Sequence, residues 1–187
     1  MAHYISITGT HSTGKTIFTA LLAEKAQAAG LTVIRVGDIA TECQDAGFSI
    51  LKNHTFESTL WIMTSVIKAE LESGLKKDLV IVDRPVQDAL GYLEAALAAT
   101  HRSQSTEGRN YLYGLARFHV PRYIVNFKTT LDDTIALRDG RDTDREFRTL
   151  VDQMISKTND ALGIDARPLT ESEATYAIAK VMQSRQS

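Results

Sequence analysis

Cysteine is nearly missing: Cys43 is the only one in 187 residues, so no intrachain disulfide can form, which fits a reducing compartment. No apolar run approaches the 18 or more residues that a membrane span requires, and no basic segment leads into a long apolar one at the start. Secretion and membrane insertion are therefore not expected, and a cytoplasmic location is. Charge of either sign is not in excess. Charged residues make up 24% and the net charge is −2, which advertises neither a polyanion-binding surface nor an acidic tail. There is no internal repeat and no low-complexity tract. What remains is a chain of a length that predicts one domain over 1–187 with its own core.

Strand-like and helix-like segments alternate along most of the chain, the pattern of a mostly parallel sheet covered by helices on both faces. The expected fold is a three-layer α/β fold of about five strands. Leu31–Val36 reads as a short strand ending at Gly37-Asp38, and residues 56–71 carry Phe56, Leu60, Met63, Ile67 and Leu71 at helical spacing. Residues 79–83 read LVIVD, as a strand buried on both faces does, with Pro85 in the first turn of the next helix. His101–Asn110 is polar apart from Gly108 and predicts an exposed loop. Further strands are expected at 122–127 and, short and at an edge, within 163–169. A short helix is expected near Leu131–Leu137, a long one through Phe147, Val151 and Ile155, and a last one behind the capping box Thr170-x-x-Glu173.

The chemistry is concentrated in YISITGTHSTGKT at 4–16. An apolar strand runs into Gly9-x-x-x-x-Gly14-Lys15-Thr16 and then into a helix with Phe18, Leu21, Leu22 and Ala26 at helical spacing. That setting is what a phosphate-binding loop requires. Glycines at 9 and 14 let the backbone of Gly9, Thr10, His11, Ser12, Thr13 and Gly14 curl its N–H groups around a polyphosphate. The helix end adds its dipole. Lys15, expected on an exposed loop, reaches the β/γ-phosphates, and the Thr16 hydroxyl is placed to ligate Mg²⁺. His11 has no partner at ligand spacing and gives no signal of a site for any other metal.

Asp83 closes a buried strand and is the second candidate metal ligand; an ordinary strand-closing polar residue is the other reading. Hydrolytic motors place a glutamate directly after this aspartate to activate water, whereas Arg84 stands here, favouring transfer to a bound acceptor. Arg84 either points into the acceptor site or forms a surface ion pair with Asp88.

The Gly9–Thr16 loop, Asp83-Arg84 followed by Asp88 and Tyr92, and the stretch RDGRDTDREFR at 138–148 together resemble small P-loop kinases of nucleosides and nucleotides. The closer similarity is to the nicotinamide-riboside-kinase-like group of small AAA-type ATP-binding domains. The resemblance implies an ATP- and Mg²⁺-dependent kinase acting on a nucleoside-like small acceptor. It implies that Asp38 meets the acceptor, with Glu42 as competitor, and that Arg84 bridges acceptor and transferred phosphate; a turn aspartate capping the next segment is the other reading of Asp38. It also implies an arginine-rich lid at about 138–148, with Arg141 and Arg145 ahead of Arg138; a solvated helix face laced with ion pairs is the other reading of this stretch. In this chain Thr41 stands where such kinases often carry an arginine. Trp61, Tyr92, Tyr111, Tyr113 and Arg117 are candidate acceptor contacts, although an aromatic residue placed like Trp61 is more often part of the core. A kinase acting on a base or end within DNA or RNA, a regulatory NTP switch and an ATPase subunit stay open. The guanine-reading Asn-Lys-x-Asp sequence of common GTPases is missing. A homodimer is compatible with the sequence.

Overall fold

The computed structural model describes residues 2–10, 13–131 and 144–185. Five strands, β1 (His3–Thr8), β2 (Val33–Val36), β3 (Leu79–Asp83), β4 (Tyr123–Lys128) and β5 (Ala166–Arg167), form one sheet in the order β2-β3-β1-β4-β5. Every pairing is parallel. Seven helices are described: α1 (Lys15–Ala28), α2 (Ile39–Asp45), α3 (Phe56–Gly74), α4 (Val86–Thr100), α5 (Thr106–His119), α6 (Arg145–Ala161) and α7 (Glu171–Ser184). The expected α/β class and strand count hold.

The LVIV run is buried on both faces because alternate side chains serve different helical layers. Leu79 and Ile81 join Ile5, Ile7, Val125 and Phe127 against Phe18 and Leu22 of α1 and Ala177 and Val181 of α7. Val80 and Val82 pack on the opposite face with Met63 and Val66 of α3 and Leu90 and Leu93 of α4. Helix α6 lies against α4 through Phe147, Val151 and Ile155. The approach is close: a Cβ on Gly91 would come within 2.5 Å of Ile155 Cγ1 and 3.0 Å of its Cα.

Some element ends differ from expectation. Thr106–Asn110 is the first turn of α5 and not part of a loop, because the Ser105 hydroxyl accepts from the Gly108 N–H as its N-cap. Pro85 occupies the N-cap of α4. Thr170 does cap α7, accepting from Glu173 N, but the Glu173 carboxylate pairs with Arg167 at 2.7 Å and does not close a capping box. The helix expected near 131–137 lies outside the described residues beyond Leu131.

Candidate functional site

β1 has β3 on one side and β4 on the other, so its carboxyl end is where the chain connections diverge, the place where open α/β sheets bind ligands. There the P-loop leaves the sheet. Gly9 takes φ 133° and Gly14 φ 84°, and a Cβ on Gly9 would meet Thr129 Oγ1 at 1.9 Å. Only glycine fits that position. Lys15 is buried, contrary to an exposed loop lysine: its Nζ donates to the carbonyl oxygens of Gly9 (3.0 Å) and Thr10. Thr16 stands exposed in the first turn of α1. His11 and Ser12 lie outside the described residues.

Asp83 is level with Ile7 of β1. Its Oδ2 accepts from Arg35 Nη2 at 3.0 Å, while its buried Oδ1 has no hydrogen-bond partner among the described residues. Arg84, at φ 67°, does not pair with Asp88. It donates to the Tyr92 hydroxyl at 3.0 Å and lies over that ring. Asp88 instead turns to the P-loop, its Oδ2 accepting from Gly9 N at 3.3 Å and its Oδ1 from the Thr8 hydroxyl. Burial pushes the Asp88 carboxyl up to about 6, against the opposing pull of Arg84, Thr8 and Lys15.

Beside these groups opens a cleft of about 260 Å³, lined on one side by Asp83, Arg84, Asp88, Ala89 and Tyr92 and on the other by residues from 35 to 62. Asp38 lies in it at φ 66°. Although it occupies the N-cap position of α2, its side chain caps no N–H; the carboxylate faces Arg35 at 3.6 Å. Leu51, at φ 58°, lines the same cleft. Three of the four described non-glycine residues with positive φ thus surround one cavity, and such backbone strain gathers at functional sites.

A family model described as AAA domain matches residues 4–174. The chain belongs to the AAA domain family. No curated protein matches it. Among solved structures, thymidylate kinase from Candida albicans superposes on this AAA domain with TM-score 0.60 at 17% identity, over 99% of this chain and 92% of that one. Deoxyadenosine kinase from M. mycoides, with products dCMP and dCDP bound, gives TM-score 0.61 at 14% identity, over 98% of each chain. NadR protein in complex with NR gives 0.67 at 15% identity; it covers 100% of this chain, which spans 52% of that one. At these identities the likeness shows the shared P-loop kinase-like fold.

Other candidates sit away from the cleft. Trp61 packs on Phe48, with ring centroids 6.0 Å apart, and its neighbour Ile62 lines the cleft instead. Tyr111 rests on Phe56, and Tyr113 on Glu94 and Arg117; none of these lines the cleft. Glu42 is exposed and does not line it either. Arg138 and Arg141 lie outside the described residues. Arg145 is exposed at the start of α6, and Arg148, one turn on, is buried.

Two cleft residues carry no motif signal. Arg35 comes from β2, and His54 follows a 3₁₀ turn at Leu51–Asn53. The His54 ring stacks on Tyr92 at 5.7 Å, and burial, with Arg102 and Arg84 nearby, pushes its imidazole down to about 4. A lone arginine in a strand and a lone histidine in a turn are indistinguishable from surface residues until the fold brings them to the cleft.

Proposed function

We propose that this domain is an ATP-dependent kinase that transfers the γ-phosphoryl group to a nucleoside, a nucleotide or a related small acceptor. The observation that carries the reading is the cleft itself: a cavity of about 260 Å³ joins the P-loop side, at Asp83 and Arg84, to Asp38. A hydrolase needs only water there. The kinase fold of the structural neighbours supports the same reading.

In this reading the backbone N–H groups of Gly9, Thr10, His11, Ser12, Thr13 and Gly14 cradle the phosphates, and Lys15 turns from the loop carbonyls to them. The residues present fit Mg²⁺: the buried Asp83 Oδ1 lacks a hydrogen-bond partner among the described residues, and Thr16 offers an exposed hydroxyl at the helix start. A site of one or two protein oxygens completed by phosphates is how Mg²⁺ is commonly held. Bound there, Mg²⁺ supplies charge neutralisation and alignment of the phosphates. Asp38 accepts a hydrogen bond from the acceptor hydroxyl. Arg84, with Arg138, Arg141 and Arg145 from the lid, neutralises charge as it develops on the transferred group. The chain acts as one domain in the cytoplasm.

The test is incubation of purified protein with γ-labelled ATP, Mg²⁺ and a panel of nucleosides, nucleoside monophosphates and oligonucleotides. Label is expected in a free small acceptor. Label only in oligonucleotides, or in none of the panel, sinks the proposal.

A further inference from the structure

Two carboxylates that the proposed transfer assigns to opposite sides of the reaction share one guanidinium. Arg35 Nη2 lies 3.0 Å from Asp83 Oδ2 and 3.6 Å from Asp38 Oδ2. The guanidinium rests over Gly37, where a Cβ would sit 3.0 Å from Nη2 and 3.1 Å from Nε, so a larger residue there crowds it. The neighbouring cations are engaged elsewhere: Arg84 donates to the Tyr92 hydroxyl, and Lys15 to the loop carbonyls. Among the described residues, Arg35 alone touches both carboxylates.

The other Asp83 oxygen, Oδ1, is buried with no hydrogen-bond partner among the described residues. A cation arriving at Oδ1 shares one negative charge with Arg35, and the two positive charges repel at short range. What the guanidinium loses at Asp83 it can regain at Asp38, the nearest other carboxylate, whose side chain is 78% exposed and has room to move.

We propose that Arg35 is a positioning residue that couples the metal side of the site to the acceptor side, yielding Asp83 as the cation binds and tightening on Asp38. Its acceptor half rests on the kinase reading; its metal half does not. Arginine suits the task because a planar fork can span two carboxylates, which the point charge of lysine cannot.

Wild type, Arg35→Met and Arg35→Lys are compared in two assays after thermal melts confirm folding, with Arg35→Gln replacing Arg35→Met if the latter does not fold. The first titrates Mg²⁺ into a fluorescent ADP analogue at equilibrium, without acceptor. Arg35→Met removes a competing charge, so half-saturating Mg²⁺ falls about two- to fivefold, the scale of a partly exposed ion pair; Arg35→Lys stays near wild type. The second measures KM for the acceptor that wild type phosphorylates. KM rises in both variants, because neither spans the two carboxylates, and kcat changes less. An unchanged Mg²⁺ midpoint in Arg35→Met, or an unchanged acceptor KM, overturns the coupling. If wild type phosphorylates no acceptor, the kinase reading falls and takes the acceptor half with it, while the Mg²⁺ titration still decides the tie to Asp83.

Discussion

His54 and Asp88 line the same cleft, and burial shifts them in opposite directions. His54 is lowered from 6.5 to about 4, so between those values the unfolded chain takes up a proton that the folded one refuses. Its contribution is present above pH 6.5 and is lost as pH falls towards 4. Asp88 is raised from 3.8 to about 6, so its contribution is present below pH 3.8 and is lost as pH rises through 6. The two slopes oppose each other over one window. Thermal melts from pH 4 to 6.5 should therefore separate them: Asp88→Asn should lose stability more steeply than wild type as pH falls, and His54→Phe should lose it more steeply as pH rises. Parallel curves for all three proteins would show that neither group titrates with the shift its burial implies. At Lys15, the loop carbonyls hold the ammonium inside the fold, so Lys15→Ala should abolish nucleotide binding and also cost some stability, about 1 kcal/mol for the lost hydrogen bonds. Retained binding in an equilibrium titration would displace Lys15 from the phosphate site.

At the scale of elements, the contact of α4 with α6 depends on a missing side chain. Gly91→Ala would force Cβ against the backbone of Ile155, which should cost about 1–3 kcal/mol and lower Tm by about 2–12 °C. A melt that does not move would mean that α6 can shift freely against α4. Most elements were legible in the sequence for a local reason. A strand buried on both faces writes itself as LVIV, and a phosphate loop as glycines, a lysine and a threonine at fixed spacing. The first turn of α5 was not legible, because its residues face solvent and carry no apolar period; only the Ser105 cap marks it. The cleft was half legible for the same reason. Asp83 and Arg84 follow a recognisable strand, whereas Arg35 and His54 reach the same cleft only through the tertiary fold, which no local pattern records. Helical spacing makes Asp88 a partner for Arg84. Its actual partners, Thr8 and Gly9, lie across the sheet.

Across the whole molecule, polar chemistry is divided between the two ends of the sheet. At the end opposite the cleft, the fully buried Glu70 accepts from Tyr123 Oη at 2.7 Å and contacts His119 Nε2 at 2.7 Å. Burial, then Glu70, pushes the Tyr123 hydroxyl well above its usual range. Removing this carboxylate orphans two buried groups, so Glu70→Ala should cost about 3 kcal/mol or more, a fall in Tm of roughly 6–12 °C. Nucleotide affinity, measured well below the new Tm, should not change. A matching loss of affinity would mean that the two ends communicate through the sheet. The P-loop shows the opposite arrangement, since it is short in sequence but is fastened by Asp88, 79 residues beyond Gly9. A growing chain on the ribosome that has completed the loop and its first helix still lacks the carboxylate that fixes the loop backbone. Competence to bind a nucleotide therefore arrives late in synthesis, once β3 and the first turn of α4 have emerged.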